Sequence, residues 1–443
     1  MPVVAKPQAA SVLAAIDARR EDAIALLREL VSINSVNPTF PGVDRAAVIG
    51  GESAATGVLN EAYLEVGCET HFVAEDPERR NLVSIRRGSG GGRSLLLNGH
   101  VDTVPPVEPE DWVNGAPWSP EIRDGLLYGL GSTDMKGGLV ATWLVLRALE
   151  DAGIELAGDV IVQSVVGEET WEHELGTTAC VRAGYTADAA IVVEPTSLPR
   201  PLSVCNVSAG LWALKITVRG KSTHAGNRPL AIRPGGPGDE IGVNALEKGI
   251  KVVAALQALE IEWGMTKNHP EFPPGFFNLL PGVFYSDAGY PVPYYFPDRA
   301  EIQYDVWHDP RDSGEECAAE IEAFVQAMSQ MDTWLRDHPP EFEWMRYYPP
   351  LLTPWEHPLM QAMLRAHEQT TGTPITPPSP HTPSNFSAAM DGTWLQQAGI
   401  PCVVFGPGDV RIAHCKNEFV DLEEVVTAAR SLAIAVLDWC GAN

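Results

Sequence analysis

The apolar run Leu95-Leu96-Leu97 leads into Asn98-Gly99-His100-Val101-Asp102-Thr103-Val104-Pro105, and it constrains this chain more than any other stretch. Three leucines followed by polar residues and a proline describe a strand buried on both faces, as in the middle of a parallel sheet. Such a strand delivers its polar residues at its C-terminal end. Two-residue alternation puts His100 and Asp102 on one face. A histidine there can bind a metal, and a nearby carboxylate can fix its ring. A lone His-x-Asp is more often an ordinary strand end capped by aspartate. The weight therefore falls on what the other strand ends carry.

The flanking chain alternates helices with strands. An apolar face with Leu13, Ile16, Ile24, Leu26, Leu27, Leu30 and Val31 predicts one amphipathic helix over 10–33, broken by Ser35-Val36-Asn37-Pro38. A second helix is expected over 52–66, short strands over 70–74 and 82–86, and the central strand over 94–99. Residues 105–125 read as a loop bearing prolines and tryptophans. The glycine-rich segment Gly129-Leu130-Gly131-Ser132-Thr133-Asp134-Met135-Lys136-Gly137-Gly138 runs into a helix over 139–150. A buried strand over 159–166 ends in Gly167-Glu168-Glu169-Thr170, and another over 189–193 ends in Glu194-Pro195-Thr196. This order predicts an α/β domain with a mainly parallel sheet, whose sites lie beyond the carboxyl ends of the strands.

After Asn206 the pattern changes. A strand over 210–219, a helix over 241–262, strands over 276–284 and 300–307, a helix over 314–331 and a strand over 341–348 follow. That β-α-β-β-α-β order is the ferredoxin-like α+β arrangement. The α/β pattern then resumes with a helix over 358–370, a helix near 387–397, a strand over 401–405 and a closing helix over 422–437. The proline-rich run 373–383 reads as an ordered loop. The expected organisation is a catalytic domain in two parts, 1–207 and 351–443, with a dimerisation or lid domain inserted at 208–350.

With 443 residues the chain is long enough for two or three cores. Thirty-one basic against 58 acidic residues give a net charge of −27, which argues against nucleic acid or an anionic membrane as partner. No apolar run is long enough to span a bilayer, and residues 1–8 lack a basic-then-apolar export pattern. Seven scattered cysteines without a Cys-x-x-Cys pair predict a reduced, cytoplasmic setting.

His100, Asp102, Asp134, Glu168, Glu169, Glu194 and His414 all follow a buried strand or a glycine turn. Each alone is a commonplace: an acidic helix start, a turn aspartate, a surface histidine. Together, two histidines and several carboxylates suit zinc or a similar divalent ion. They are too many for one tetrahedral site, which suggests two ions sharing a ligand and activating one water. One carboxylate must then stay free as general base.

In this order the stretches Asn98 to Pro105, Gly129 to Gly138, Gly167-Glu168-Glu169, Val193-Glu194-Pro195 and Ser222-Thr223-His224-Ala225-Gly226 resemble a known family. The match continues through Pro297-Asp298-Arg299-Ala300-Glu301, Phe405-Gly406-Pro407-Gly408, His414 and Asn417-Glu418-Phe419-Val420. The family is the acetylornithine deacetylase, succinyl-diaminopimelate desuccinylase, aminoacylase and glutamate carboxypeptidase group of co-catalytic zinc hydrolases. The resemblance implies that His100 and Glu194 hold one metal, Glu169 and His414 the other, and that Asp134 bridges them. It implies that Asp102 orients His100, that Glu168 is the general base, and that His224 crosses a dimer interface to steady the oxyanion in the partner's site. It further implies a cis Asp134-Met135 peptide, two divalent ions (zinc first, manganese or cobalt as alternatives), a small-molecule amide substrate and a homodimer. Glutamate at 194 resembles the deacylase and carboxypeptidase branch.

The departures lie mostly in the inserted domain. Where the family carries Asp-x-Arg to grip a substrate carboxylate, this chain reads Asp305-Val306-Trp307-His308. Tryptophan cannot make arginine's bidentate pair. The metal-loop pattern Gly-Thr-Ser/Thr-Asp reads Ala388-Ala389-Met390-Asp391, and residues 227–239 are an insertion. Tyr290, Tyr294, Tyr295, Phe296 and Trp307 are expected to form an aromatic wall for a bulky or aromatic substrate, with Asn278 a further substrate candidate. Arg228, Arg233, Arg299 and Arg311 are candidates to replace the missing arginine. The leading reading is a metal-dependent amidohydrolase. Carboxypeptidase or dipeptidase action, hydrolytic deamination of an aromatic amine, and an inactive binding protein of the same fold are the alternatives.

Overall fold

A computed structural model describes residues 7–196, 200–379 and 384–442. The end of the proline-rich run, 380–383, and most of the stretch 1–8 lie outside these residues. The chain divides into two compact units, Met1–Val207 with Leu351–Asn443, and Ser208–Pro350. Among the described residues no helix is long and apolar enough to cross a membrane.

The first unit is a mixed α/β structure with a mainly parallel central sheet. Its six strands lie in the order Glu69–Asp76, Arg79–Arg86, Val160–Val165, Leu95–His100, Ala190–Val192 and Cys402–Val404. The last four run parallel, and the first two are joined as antiparallel neighbours at one edge. All residues of Leu95–His100 and Val160–Val165 are buried, as their unbroken apolar runs require. The register sets His100 beside Val165 and Asn98 beside Val192. Three neighbouring strands, about 4.8 Å apart, thus end side by side, and the residues just beyond them converge.

Parallel neighbours need a crossover. Between Leu95–His100 and Val160–Val165 it is the helix Gly137–Asp151, buried on nearly every side. This helix packs against Pro7–Ala18, Arg20–Ser32 and Leu422–Cys440. Gly138 permits its close approach to the sheet: a Cβ there would stand 2.1 Å from the Val193 carbonyl oxygen.

Two local expectations are corrected. The single helix over 10–33 is two helices, Pro7–Ala18 and Arg20–Ser32, parted at Arg19 (φ −104°, ψ 13°). The polar run from Asp17 to Asp22 interrupts the apolar face there, and Arg19 turns aside to pair with Asp151 at 2.6 Å. The loop over 105–125 ends in a hairpin. Glu121–Arg123 pairs with Leu126–Tyr128 around Asp124-Gly125, both at positive φ, the turn that an Asp-Gly pair favours. Phe419–Asp421 adds a third strand to it and so brings Glu418 and the His414 loop to the Asp134 turn.

The second unit is an antiparallel sheet in the order Asn278–Asp287, Arg299–His308, Gly210–Arg219, Glu341–Tyr348, with helices Ala245–Thr266 and Gly314–Ser329. The β-α-β-β-α-β sequence and this strand order make it ferredoxin-like. Alternate residues of Arg299–His308 (Ala300, Ile302, Tyr304, Val306 and His308) are buried. Ser313 and Glu316 start the second helix with a reciprocal capping box.

Candidate metal centre and active site

The polar residues beyond the strand ends meet in one place. His100 is the last residue of its strand and is 2% exposed. Its Nδ1 lies 2.9 Å from the Asp102 carbonyl oxygen, so Nδ1–H donates there and Nε2 is left as the ligating atom. Nε2 stands 3.2 Å from Asp134 Oδ1 and 3.7 Å from Glu194 Oε1. On the other side, His414 Nε2 stands 3.4 Å from Asp134 Oδ2 and 3.0 Å from Glu169 Oε2. Asp134 thus turns one carboxylate oxygen to each histidine.

Two groups of possible ligand atoms result, His100 with Asp134 and Glu194, and Asp134 with Glu169 and His414. The donors of each lie within 4.8 Å of one another. One imidazole nitrogen with two carboxylate oxygens is a donor set that suits zinc, manganese or cobalt. Asp134 belongs to both groups, as a bridging ligand must. Glu168 belongs to neither, although its Oε2 comes within 3.9 Å of His100 Nε2.

The electrostatics ask for cations. Burial pushes the Glu168 and Glu194 carboxyls well above the ordinary carboxylate range, and neighbouring carboxylates add to the shift. Burial also works against protonated imidazoles. The hydrogen bonds and charges of the surrounding acids nevertheless hold His100 well above its ordinary value and His414 at about 11. These shifts mark the strain of holding four carboxyls and two imidazoles together. With the carboxyls ionised and the imidazoles neutral, as metal ligation requires, the buried negative charge is one that divalent ions would neutralise. The His414 side chain is 53% exposed, whereas those of Glu169 and Glu194 are about 5% exposed or less, so the centre opens on the His414 side.

A shell of polar contacts holds these groups. The Asp102 carboxylate is 3.7 Å from His100 Nδ1, beyond hydrogen-bond reach. The ring is held by the Asp102 backbone carbonyl, so the expected orienting role passes to that oxygen. The carboxylate accepts instead from Asn37 Nδ2 at 2.8 Å and from the Glu169 and Glu168 backbone N–H groups at 3.1 and 3.4 Å. Glu418, buried, accepts from the Thr133 and Asp134 N–H groups at 2.9 and 3.2 Å and so fixes the Asp134 turn. Burial, with the Asp134 charge, pushes its carboxyl up to about 8. The Asp134-Met135 peptide is cis, as the resemblance implied. Behind the sheet, Asn98 donates to Thr177 at 2.8 Å and Thr177 donates to Asp391 at 2.7 Å. Sequence reading gave Asn37, Asp391 and Glu418 no role. No spacing rule links residues so far apart.

The remaining candidates lie in the second unit and separate into two groups. His224 is exposed and follows the end of the strand Gly210–Arg219. Its Nδ1 accepts from the Gly226 N–H at 3.0 Å, which places the ring proton on Nε2 as a free donor. Tyr295 bridges to His224, and the rings of Tyr294 and Tyr295 lie 5.7 Å apart, tilted by 49°. Trp307 is at the opposite end of the sheet. Arg299 pairs with Arg219, whereas Trp307, eight residues on, pairs with Leu211 and Asn278, about 26 Å further along the strand. The single aromatic wall expected from the sequence is therefore two clusters, and Phe296 is buried. Trp307 stands edge-on to Phe276 at 5.6 Å and donates to Asp305 at 2.8 Å, while Asn278 donates to the Phe276 carbonyl. Of the four candidate arginines, Arg228, Arg299 and Arg311 pair with Glu247, Glu301 and Asp309.

The pattern of peptidase family M20/M25/M40 matches residues 96–438. Two proteins named N-formyl-4-amino-5-aminomethyl-2-methylpyrimidine deformylase, from Halalkalibacterium halodurans and Bacillus subtilis, are each 32% identical to this chain. The alignments cover 97% and 96% of it, respectively, and 96% of each relative. Among solved structures, an M20 family metallo-carboxypeptidase from Sulfolobus solfataricus superposes with a TM-score of 0.70 at 16% identity. That match covers 94% of this chain and 99% of the other and shows the fold.

Proposed function

Because this chain belongs to peptidase family M20/M25/M40 and is an amide C–N hydrolase of that family, we propose that its substrate is the formamide of an aminomethyl-substituted pyrimidine. The observation that carries this reading is the end-to-end likeness to the two deformylases. Trp307 is in keeping with it. The substrate those relatives are named for has an aromatic ring and no carboxylate, so a tryptophan in place of a carboxylate-gripping arginine fits it. An N-succinyl or N-acetyl amino acid would leave its carboxylate without that partner.

Metal dependence belongs to the family, and we assign two ions, zinc before manganese or cobalt, to the two ligand groups that share Asp134. Ions held there would polarise the acyl carbonyl and acidify a water at neutral pH. Glu168 takes the proton from the attacking water and delivers it to the amide nitrogen as the C–N bond breaks, releasing formate and the free amine. Its place outside both ligand groups leaves it available for this role. Asp102 and Glu418 hold the turns that carry Glu168, Glu169 and Asp134.

We assign His224, with its free Nε2–H, to the oxyanion of a partner's site. A second copy of the chain is the partner that fits. The helix Ala245–Thr266 exposes Leu246, Ile250, Ile261 and Met265 along one side, and the edge strand Asn278–Asp287 exposes Leu280, Val283, Phe284 and Tyr285. A strand edge and an apolar helix can both be matched by their own copies across a two-fold axis. All seven cysteines are free, which fits the cytoplasmic setting we propose.

The test compares zinc-loaded protein on N-formyl-4-amino-5-aminomethyl-2-methylpyrimidine and on N-succinyl and N-acetyl amino acids, by formate release and by amine release. The reading predicts kcat/KM at least a hundredfold higher on the formamide. Equal or faster turnover of the acylated amino acids would overturn it.

A further inference from the structure

An ion triad, buried at Arg79 and Glu52 and half-buried at Glu172, lies behind the turn that carries Glu168. Arg79 opens its strand and is 1% exposed. Its Nε and Nη2 donate to the two carboxylate oxygens of Glu52 at 2.6 and 2.8 Å, a bidentate fork. Glu52 is itself 1% exposed and sits in the first turn of the helix Gly51–Glu65. The remaining guanidinium arm, Nη1, donates to Glu172 Oε2 at 2.7 Å. The triad thus joins a helix start, a strand start and the segment just after Glu168-Glu169.

The contacts continue into the active site. Glu172 Oε2 also accepts from the Thr170 and Thr39 hydroxyls at 2.9 and 2.7 Å. The Thr39 N–H donates to Asn37 Oδ1 at 3.0 Å, and Asn37 Nδ2 donates to Asp102 Oδ2 at 2.8 Å. That same Asp102 oxygen accepts the Glu169 N–H. The turn is therefore gripped from two directions: Asp102 takes its leading amides, and Glu172 anchors its trailing end. The turn's own geometry needs such support. Gly167 and Trp171 bracket it at φ 85° and 63°, and left-handed backbone at a tryptophan is costly unless the surroundings impose it.

We propose that Arg79, Glu172 and Thr39 are positioning residues that fix the Glu168-Glu169 turn through the chain Glu52–Arg79–Glu172–Thr39–Asn37–Asp102. None of them is a ligand-group member or touches the reacting atoms. Their role rests on the reading of Glu168 as general base and Glu169 as ligand. Fully formed buried networks of this kind specify one geometry, and loss of a single member leaves charges uncompensated. The side chains of Glu172 and Thr39 reach the surface, so substitutions there relax into water more readily than at Arg79.

The experiment uses the full chain carrying Arg79→Lys, Glu172→Gln, Thr39→Val or Thr39→Ser. Arg79→Lys keeps the charge and loses the fork. Thr39→Val keeps the shape and loses the hydroxyl, and Thr39→Ser restores it. Each folded variant is assayed for kcat and KM on N-formyl-4-amino-5-aminomethyl-2-methylpyrimidine. Each is also loaded with cobalt(II) for its visible absorption spectrum, which reads ligand geometry without turnover. The proposal predicts that Arg79→Lys and Glu172→Gln lower kcat at least fivefold with KM within twofold, and that Thr39→Ser retains what Thr39→Val loses. If Arg79→Lys does not fold, Glu172→Gln decides. A folded Glu172→Gln protein with less than a fivefold loss in kcat, whatever its melting temperature, overturns the proposal. If the parent does not hydrolyse this formamide, the substrate reading fails alone. The cobalt spectrum of Glu172→Gln then decides, a changed spectrum supporting the network and an unchanged one refuting it.

Discussion

Replacing Glu168 by glutamine keeps the side chain's shape and removes both its charge and its capacity to carry a proton. Glu168 contributes no atom to either ligand group, and the backbone contacts of its turn to Asp102 do not involve its side chain. Metal affinity should therefore survive, and the loss should fall on proton transfer. A positioned general base contributes about 10²- to 10⁴-fold, which is about 2.7–5.4 kcal/mol at 1.36 kcal/mol per tenfold. Glu168 is asked to move the proton twice, off the water and onto the leaving nitrogen, so the upper half of that range is expected. The assay is formate release at saturating substrate, alongside metal content after exhaustive dialysis. The account predicts kcat reduced about 10³-fold or more, KM little changed and metal content equal to the parent's. In contrast, Glu169→Gln should lose metal. A Glu168→Gln protein that keeps a tenth of parental kcat would refute the assignment of the base.

Trp307→Arg supplies the arginine that the family resemblance implies at this position and should move the ratio of kcat/KM for N-succinyl amino acids over the formamide upward by about tenfold, one bidentate pair's worth; no change in the ratio would detach Trp307 from substrate choice. Ile261→Glu puts a charge on the exposed apolar side of Ala245–Thr266; on the proposed two-fold pairing, light scattering should show a dimeric parent and a monomeric variant, and a variant that stays dimeric would refute that face as the contact. Asp332 is buried and bonded to Lys248 at 2.7 Å and Lys251 at 2.5 Å. Burial alone would raise its carboxyl, but the two lysines pull it well below the ordinary range. A carboxyl held low stabilises the fold above its unfolded pKa of about 3.9, and that stability is lost as pH falls through the folded value. Asp332→Asn should thus cost about 2 kcal/mol at pH 7 in denaturant melts, with the difference shrinking below about pH 4.

What the sequence made legible follows from where its information sits. His100, Glu168, Glu169 and Glu194 each follow a buried apolar run, and the parallel register carries such residues to one edge without further instruction. The ferredoxin-like insert announced itself by the switch from continuous to alternating apolar strands. The break at Arg19 did not, because an apolar stripe persists on either side of it. The Asp124-Gly125 hairpin does carry a turn signal, but its strands are only three residues long and lie beside a proline-bearing loop that masks them. The pairing of Arg79 with Glu52, and of Asn37 with Asp102, spans 27 and 65 residues and exists only in the folded chain. The two aromatic clusters are not separable in the sequence, because composition counts rings without the strand register that puts Trp307 beside Leu211 and the His224–Tyr295 bridge beyond the other end of that strand.

The central claim is an amide hydrolase whose water is activated at a centre built by His100, Asp134, Glu169, Glu194 and His414. It is tested most directly by titrating chelator-stripped protein with zinc while following formate release from the pyrimidine formamide. The account predicts no turnover without metal and activity that reaches its plateau at two ions per chain. Full turnover in the stripped protein, or a plateau at one bound ion per chain, would contradict it.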